Sequence, residues 1–343
     1  MSPFSTTSCA WDQNKWPIKP EILLEGGNLI RDEFGCFTCD DLSVLTTYYK
    51  PTEQLFTCFG QTSAATAQAA WMAAQLQAAY PNAWPETIRG LMIHSADWTA
   101  QMREQFLTSS SKGHYHRLLR TCGYGVPDLV RARWCAQNSV NLIIQGSLQP
   151  YDRDENGRYI TKDMHIHQLP WPREVLLTLG AQTVRMRVTL SYFIEPSPGE
   201  IGWKDRYRYA SCALRFDVNN VNEELDNFNR RLNDKARDDS DFDNDSGSDR
   251  WLIGSQTRHR GSVHSDIWEG TAADLATSNL IGIYPAIGWW RERHGQGRWN
   301  RQIRYSLIVS LSTEAETVDL YTPIVNIIKT RVPIPITRQP KLF

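Results

Sequence analysis

The 343-residue sequence has no surplus of either charge: 37 Lys and Arg stand against 38 Asp and Glu, a formal net charge of −1. Without a one-signed field, neither nucleic acid nor an anionic membrane is expected as a partner. Met1-Ser2-Pro3-Phe4-Ser5 has no basic stretch leading into an apolar one, so no targeting segment is expected. There is also no clean apolar run of membrane-spanning length. The longest uncharged run, Gln54 to Pro85, is broken by Gln61, Gln68, Gln75 and Gln77, is rich in Ala, and ends at Pro81 and Pro85. Paired cysteines are lacking too: the seven are odd in number, irregularly spaced and confined to the first 212 residues. That pattern argues against a secreted disulfide framework and for reduced thiols in a cytoplasm. Cys36 and Cys39 form a lone C-x-x-C with no second pair and no nearby His. It is read as a turn or packing feature, with zinc or redox chemistry as the alternative.

What is present fits a globular chain: 41% hydrophobic and 22% charged residues, with 13 Trp to pack sheets or offer stacking surfaces. At about 150 residues per domain, the length allows a little over two domains. Two halves differ in period. From Thr62 to Tyr80, nine alanines surround Trp71, Met72 and Leu76 with no charge on any face, which predicts a helix buried nearly all round. Pro85 then opens a second helix carrying Ile88, Leu91, Met92 and Ile93-His94-Ser95. Gly123-Tyr124-Gly125 is a turn, and Pro127 to Ala136 has helical spacing.

Beyond residue 138 the period becomes two. Val184, Met186, Val188, Leu190 and Tyr192 alternate with polar residues, as do Ile303, Tyr305, Leu307, Val309 and Leu311, with Ile308 the one exception. Such runs predict strands with one buried face in an antiparallel sandwich. Val221 to Arg237 reads as a polar helix, and Asp238 to Asp249 as a solvated or disordered acidic loop.

The sharpest chemical feature is Gly60-Gln61-Thr62-Ser63-Ala64-Ala65-Thr66, opening the Ala-rich helix. A serine there meets unpaired backbone N–H groups and the positive end of the helix dipole, so its own N–H can stabilise an oxyanion while Oγ attacks a carbonyl. Helix capping is the competing role for Ser63 on this observation alone.

The neighbouring residues form a pattern. Gln61-Thr62-Ser63-Ala64-Ala65-Thr66-Ala67 resembles the nucleophile motif of subtilisin-like serine peptidases. Upstream, Ser2-Pro3-Phe4-Ser5, then Ile18-Lys19-Pro20-Glu21-Ile22-Leu23 and Gly26-Gly27, resemble a second segment of that family. Downstream, Gly123-Tyr124-Gly125-Val126-Pro127-Asp128 through Ala132 resembles its closing turn and helix. Two positions depart from the family's motif, where Gln61 replaces a Gly and Ala67 a Pro.

The resemblance implies an α/β fold over residues 1–136. This is the C-terminal portion of a subtilisin-like parallel-sheet domain with a buried central helix and Ser63 as nucleophile, supported by Thr62 and Ala65. The family's Asp, His and oxyanion Asn precede the matched stretch and have no positions in this chain. Upstream sequence or a separate chain would have to supply them. His94, after the nucleophile helix, is read as a packed histidine and not as the base.

Residues 138–330 resemble the β-sandwich that follows the peptidase domain in a bacterial branch of the family, with a helical and acidic insertion at 221–250. The matching stretches are Arg187 to Pro196, Tyr209 to Val218 and Ile287 to Arg291. The branch implies a cytoplasmic protease acting on protein or peptide substrates, with an AAA-type ATPase as a candidate partner. The alternative is an inactive remnant whose Trp-rich sandwich binds protein or carbohydrate.

Three weaker patterns remain. Asp152, Asp154, Asn156 and Asp163 approximate a calcium loop, but Asn156-Gly157 also suits a type I′ hairpin turn, the reading preferred over a metal site. Arg291, Arg293, Arg298, Arg301 and Arg304, interleaved with Trp289, Trp290 and Trp299, could form a nucleic-acid surface. Arginines on the solvent face of a hairpin are preferred, given the net charge. His165 and His167 share a strand face and, lacking a third ligand, are read as surface residues.

Overall fold

A computed structural model describes residues 5–10, 17–109, 111–134, 139–197, 209–237, 250–314 and 318–330. The predicted acidic loop at 238–249 and the Ser2-Pro3-Phe4 part of the first landmark lie outside them. In the N-terminal part, strands β1 (Leu29–Asp32) and β2 (Gly35–Thr38) form one antiparallel hairpin; β3 (Val44–Thr47) and β4 (Phe56–Phe59) form another. Helices α1 (Gln61–Ala79), α2 (Pro85–Ser95), α3 (Ala100–Phe106), α4 (Lys112–Cys122) and α5 (Leu129–Arg133) follow. No parallel strand pair occurs among the described residues. The parallel sheet expected here is not found among them: each short strand pairs within its own hairpin.

The second part contains β5 (Ser139–Leu148), β6 (Tyr151–Arg153), β7 (Tyr159–Thr161), β8 (His165–Gln168), α6 (Arg173–Leu179), β9 (Thr183–Tyr192), β10 (Ala213–Val218) and α7 (Leu225–Arg237). It continues through α8 (Ser255–Arg258), β11 (Val263–Thr271), α9 (Ala272–Leu275), β12 (Leu280–Ala286), α10 (Trp289–Glu292), β13 (Ile303–Thr313) and α11 (Tyr321–Thr330). Among the described residues these strands form two larger antiparallel sheets, ordered β11-β9-β13-β5 and β10-β12-β8, and the separate β6-β7 hairpin. Val188, Leu190, Leu307 and Val309 of the first share one buried core with Leu214, Phe216, Ile281 and Ile283 of the second. Trp171, Trp251, Trp268, Trp289 and Trp290 belong to that core, which accounts for much of the tryptophan.

The other face of the four-stranded sheet is covered by α2. Pro85 at the first helical position sacrifices no hydrogen bond, and Ile88, Leu91, Met92 and Ile93 are all buried. Each such side chain contributes about 1.5–3 kcal/mol. Here the one-buried-face expectation for β9 and β13 fails: Thr189, Ser191, Ser306 and Ile308 are buried as well, beneath the helix. Ile308, the one apolar residue out of step in its strand, packs with Met72, Leu76, Ile88, Leu91 and Met92. Gly90 makes that approach possible, since a Cβ there would lie 2.9 Å from Ile308 Cδ1.

The prediction for α1 is overturned. Only Ala64, Met72 and Leu76 are buried, and Trp71 is 60% exposed. The helix touches α2 and α5 along one line, and no described element covers the remainder. The hairpins share this exposure. Eleven of the twenty-one exposed large hydrophobic side chains among the described residues fall between Leu29 and Trp71, including Phe34 at 82% and Leu45 at 67%.

The helix expected over 127–136 is shorter, ending at Arg133, with 135–136 outside the described residues. The Gly123-Tyr124-Gly125 turn forms as expected. Both glycines have positive φ, +58° and +94°, and a Cβ on Gly125 would lie 2.2 Å from the Asp97 carbonyl oxygen. Gly125→Ala is therefore expected to lose on the order of 2–3 kcal/mol of unfolding free energy. Urea denaturation measures this, and an unchanged midpoint contradicts the assigned packing.

Candidate functional site

The three separated sequence landmarks meet around the head of α1 and the turn after α4. The Gln61 N–H donates to the Gly26 carbonyl at 2.5 Å, and Gln68 Nε2 donates to the Glu25 carbonyl at 2.6 Å. Gly26 packs so closely that a Cβ would lie 2.7 Å from the Gln61 carbonyl oxygen. On the other side, the Tyr124 N–H donates to the Glu21 carbonyl and the Leu23 N–H to the Gly125 carbonyl, both at 2.8 Å. The segment from Ile18 to Gly27 is thus pinned between the Gly-x-Gly turn and the start of α1.

Gln61 has φ +68°, in the left-handed region that glycine occupies freely. Where the family motif has Gly, this chain keeps the glycine-like backbone and carries a side chain on it, a strain of about 1–2 kcal/mol. Ser63 is exposed in the first turn of α1, and its hydroxyl has no hydrogen-bond partner among the described residues. Capping, the competing role, is not what it does: the N-cap is Gly60, with no side-chain cap bond. Thr62 is also exposed and its carbonyl accepts from Thr66 Oγ1; Ala65 is half-buried. The first-turn N–H groups of a helix lack partners within it, and α1 has no acidic side chain there to neutralise its dipole.

His94 sits apart from this site, buried at the C-terminal end of α2. Its Nδ1 is 2.8 Å from Thr189 Oγ1, which is itself 2.8 Å from Ser265 Oγ. Burial, reinforced by the positive charges of Arg187 and Arg131, holds the imidazole well below its ordinary pKa. Arg187 Nη1 donates to the carbonyls of His94 and Ala96 at 2.9 and 2.6 Å, closing the end of α2. Sequence reasoning missed this polar seam. Its signal was the row of Ser and Thr at alternate positions of β9 and β13, taken as solvent-facing.

The weaker patterns resolve differently from their expectations. Among the described residues no group of three or more His, Cys, Asp or Glu is arranged to hold a metal ion. Asp152 pairs with Lys162 Nζ at 2.8 Å, Asp154 accepts the Arg158 N–H at 2.7 Å, and Asp163 accepts the Gln149 N–H at 3.1 Å. The hairpin forms, but not through a type I′ turn. Only Gly157 has positive φ (+79°), with its N–H on the Asp154 carbonyl, so five residues connect β6 to β7.

His165 and His167 are not free on the surface: His165 Nδ1 and His167 Nε2 lie 2.6 and 3.0 Å from the Tyr305 hydroxyl. Burial, with His165 alongside, pushes His167 down to about 4. Gly146, opposite Tyr305, leaves room for that ring. Nor do the arginines line a hairpin face. Arg298 and Arg301 pair with Glu195, Arg291 with Glu292 and Arg304 with Glu86, while Trp289 and Trp290 are buried. The six described cysteines are free, with Cys36 exposed in β2 and Cys39 preceding a short turn of 3-10 helix.

Residues 1–125 match the family model Peptidase_S8, described as the subtilase family. That part of the chain is subtilase-like. An uncharacterized protein, y4bN, of Sinorhizobium fredii is 27% identical over 179 residues, which are 51% of this chain and 38% of that protein. The chain thus aligns with well under half the length of that curated relative. No solved structure matches. The AAA-type ATPase finds no support in these comparisons. No helix among the described residues is long and apolar enough to cross a membrane.

Two predictions follow from this geometry. Gln61→Gly relieves the left-handed strain and is expected to raise stability by about 1 kcal/mol, measured by urea denaturation; a loss contradicts it. The second concerns His94, whose pKa is lowered on folding. Below about pH 6.5 the unfolded chain takes up a proton that the folded chain refuses, so stability falls as pH falls and is unaffected above that range. Asp266, raised by burial, acts in the opposite sense. The wild-type slope should therefore be compared with that of His94→Gln between pH 5 and 7. The variant is expected to lose up to about 1.4 kcal/mol per pH unit of slope, and identical slopes contradict the assignment.

Proposed function

We propose that the chain is the nucleophile-bearing part of a serine endopeptidase of the subtilisin class, with Ser63 as nucleophile. The Asp and His of the triad and the oxyanion Asn would come from polypeptide outside these 343 residues. The supporting observation is that the Ile18–Gly27 segment joins the Gly-x-Gly turn to the N-terminus of α1, where Ser63 is exposed and its hydroxyl uncommitted. The family match over residues 1–125 points the same way.

In this reading Ser63 Oγ attacks the carbonyl carbon of a peptide bond, and its proton passes to the supplied histidine. The carbonyl oxygen becomes an oxyanion, stabilised by the Ser63 N–H and the positive end of α1. Collapse expels the amine, which takes the proton back from histidine and leaves an acyl-enzyme on Ser63; water then hydrolyses it. Without the base, only the contribution of the oxyanion site and substrate binding remains.

The uncovered face of α1 and the exposed hairpins are, on this proposal, the surface against which the supplied part packs. Residues 138–330 are a β-sandwich that carries the peptidase part through α2. Free cysteines accord with a cytoplasmic setting.

A fluorophosphonate probe tests the proposal. The isolated chain should label poorly. Co-expression with the coding segment directly upstream of Met1 should give a labelled complex, and Ser63→Ala should abolish labelling. Labelling that persists in Ser63→Ala, or no labelling of an assembled complex, would sink the assignment.

A further inference from the structure

A second site lies in the two-sheet part, independent of Ser63. The β6–β7 hairpin and the residues around α10 line an open surface cleft of about 580 Å³. The hairpin contributes Arg153, Arg158 and Tyr159; the opposite wall contributes Arg291, Glu292 and His294. Three guanidinium groups therefore face one carboxylate, and Glu292 is engaged by Arg291 Nε at 3.0 Å.

Three further carboxylates lie on the hairpin itself, those of Asp152, Asp154 and Glu155. Asp152 is held by Lys162, and Asp154 is turned onto the Arg158 backbone N–H. Arg158 is exposed and its guanidinium has no ion-pair or hydrogen-bond partner among the described residues. Among the described residues Arg153 has only a carbonyl, that of Gly157 at 3.2 Å, and the Tyr159 ring at 5.8 Å.

The walls are braced before any ligand arrives. Tyr159 stacks on His294 across the cleft, ring centroids 3.8 Å apart and planes 12° off parallel. Gly157 lets Arg153 fold back over the turn: a Cβ there would lie 3.0 Å from Arg153 Nη2. Guanidinium forks match phosphate oxygens and form charge-assisted hydrogen bonds.

We propose that this cleft binds the diphosphate group of a small phosphorylated ligand. Its volume falls in the range of small-molecule sites, about 300–1,000 Å³. One face of Tyr159 is occupied by His294 and Arg153 lies over the ring, so recognition falls on the charged group and not on a stacked base. Free pyrophosphate and a nucleoside diphosphate should therefore bind alike.

Isothermal titration of the full chain at low ionic strength, with inorganic pyrophosphate and with ADP, tests this. Saturable binding of both is expected, weakened about tenfold or more by Arg158→Gln and by Arg153→Gln. Arg158→Gln removes an exposed side chain without a partner, so its melting temperature should equal wild type. Absence of saturable binding, equal affinity in Arg158→Gln, or tighter binding of hexaglutamate than of pyrophosphate each overturns the proposal. Much tighter binding of ADP than of pyrophosphate overturns the claim that the diphosphate alone is recognised.

Discussion

The seating of α2 on the four-stranded sheet determines how the rest of the molecule is arranged. The helix is held by apolar contacts and by paired polar groups together. Ile88, Leu91 and Met92 pack on Ile308, while Thr87 Oγ1 bonds Ser306 Oγ at 2.9 Å, His94 bonds Thr189, and Arg187 closes the last turn. Buried polar groups favour the register that pairs them, as this one does for Thr87, Thr189, Ser306 and His94 Nδ1, though His94 Nε2 and Ser191 Oγ stay without a partner among the described residues. The seam therefore fixes the helix on the sheet as well as attaching it.

From that anchor the N-terminal part is assembled in order. Pro85 places α2 immediately after α1, the Gly-x-Gly turn after α4 returns the chain against Asp97, and the Ile18–Gly27 segment is clasped between turn and α1. The result is a mount for the first turn of α1 with no described element on the far side of that helix. Apolar surface of this kind is unusual on a self-sufficient monomer. The same geometry explains how an uncommitted Ser63 hydroxyl and an uncovered Trp71 can occur on one helix. Both belong to a face that the proposed active assembly would close.

Local patterns were legible where they depended on neighbours in sequence. The Pro85 helix start, the β9 and β13 strands and the Gly-x-Gly turn all appear in the structure. What failed depended on neighbours distant in sequence. The Ala-rich α1 had the composition of a buried helix, but burial needs a covering element, and none is present among the described residues. Ser191 and Ser306 resembled solvent-facing residues because the sequence does not announce that a helix from residues 85–95 lies on them. Ile308 was the visible clue, a break in alternation at the point where α2 docks. His165 and His167 were placed on one face correctly, but their partner, Tyr305, lies about 140 residues away. Gln61 carries a side chain on a backbone conformation that glycine adopts freely.

The central claim is that α2 is clamped while α1 awaits a cover. Hydrogen–deuterium exchange of the isolated chain, read helix by helix, tests it most directly. Amides of α2 should exchange only with global unfolding, and those of α1 and the β1–β4 hairpins orders of magnitude faster. Equal protection of α1 and α2 would contradict the account.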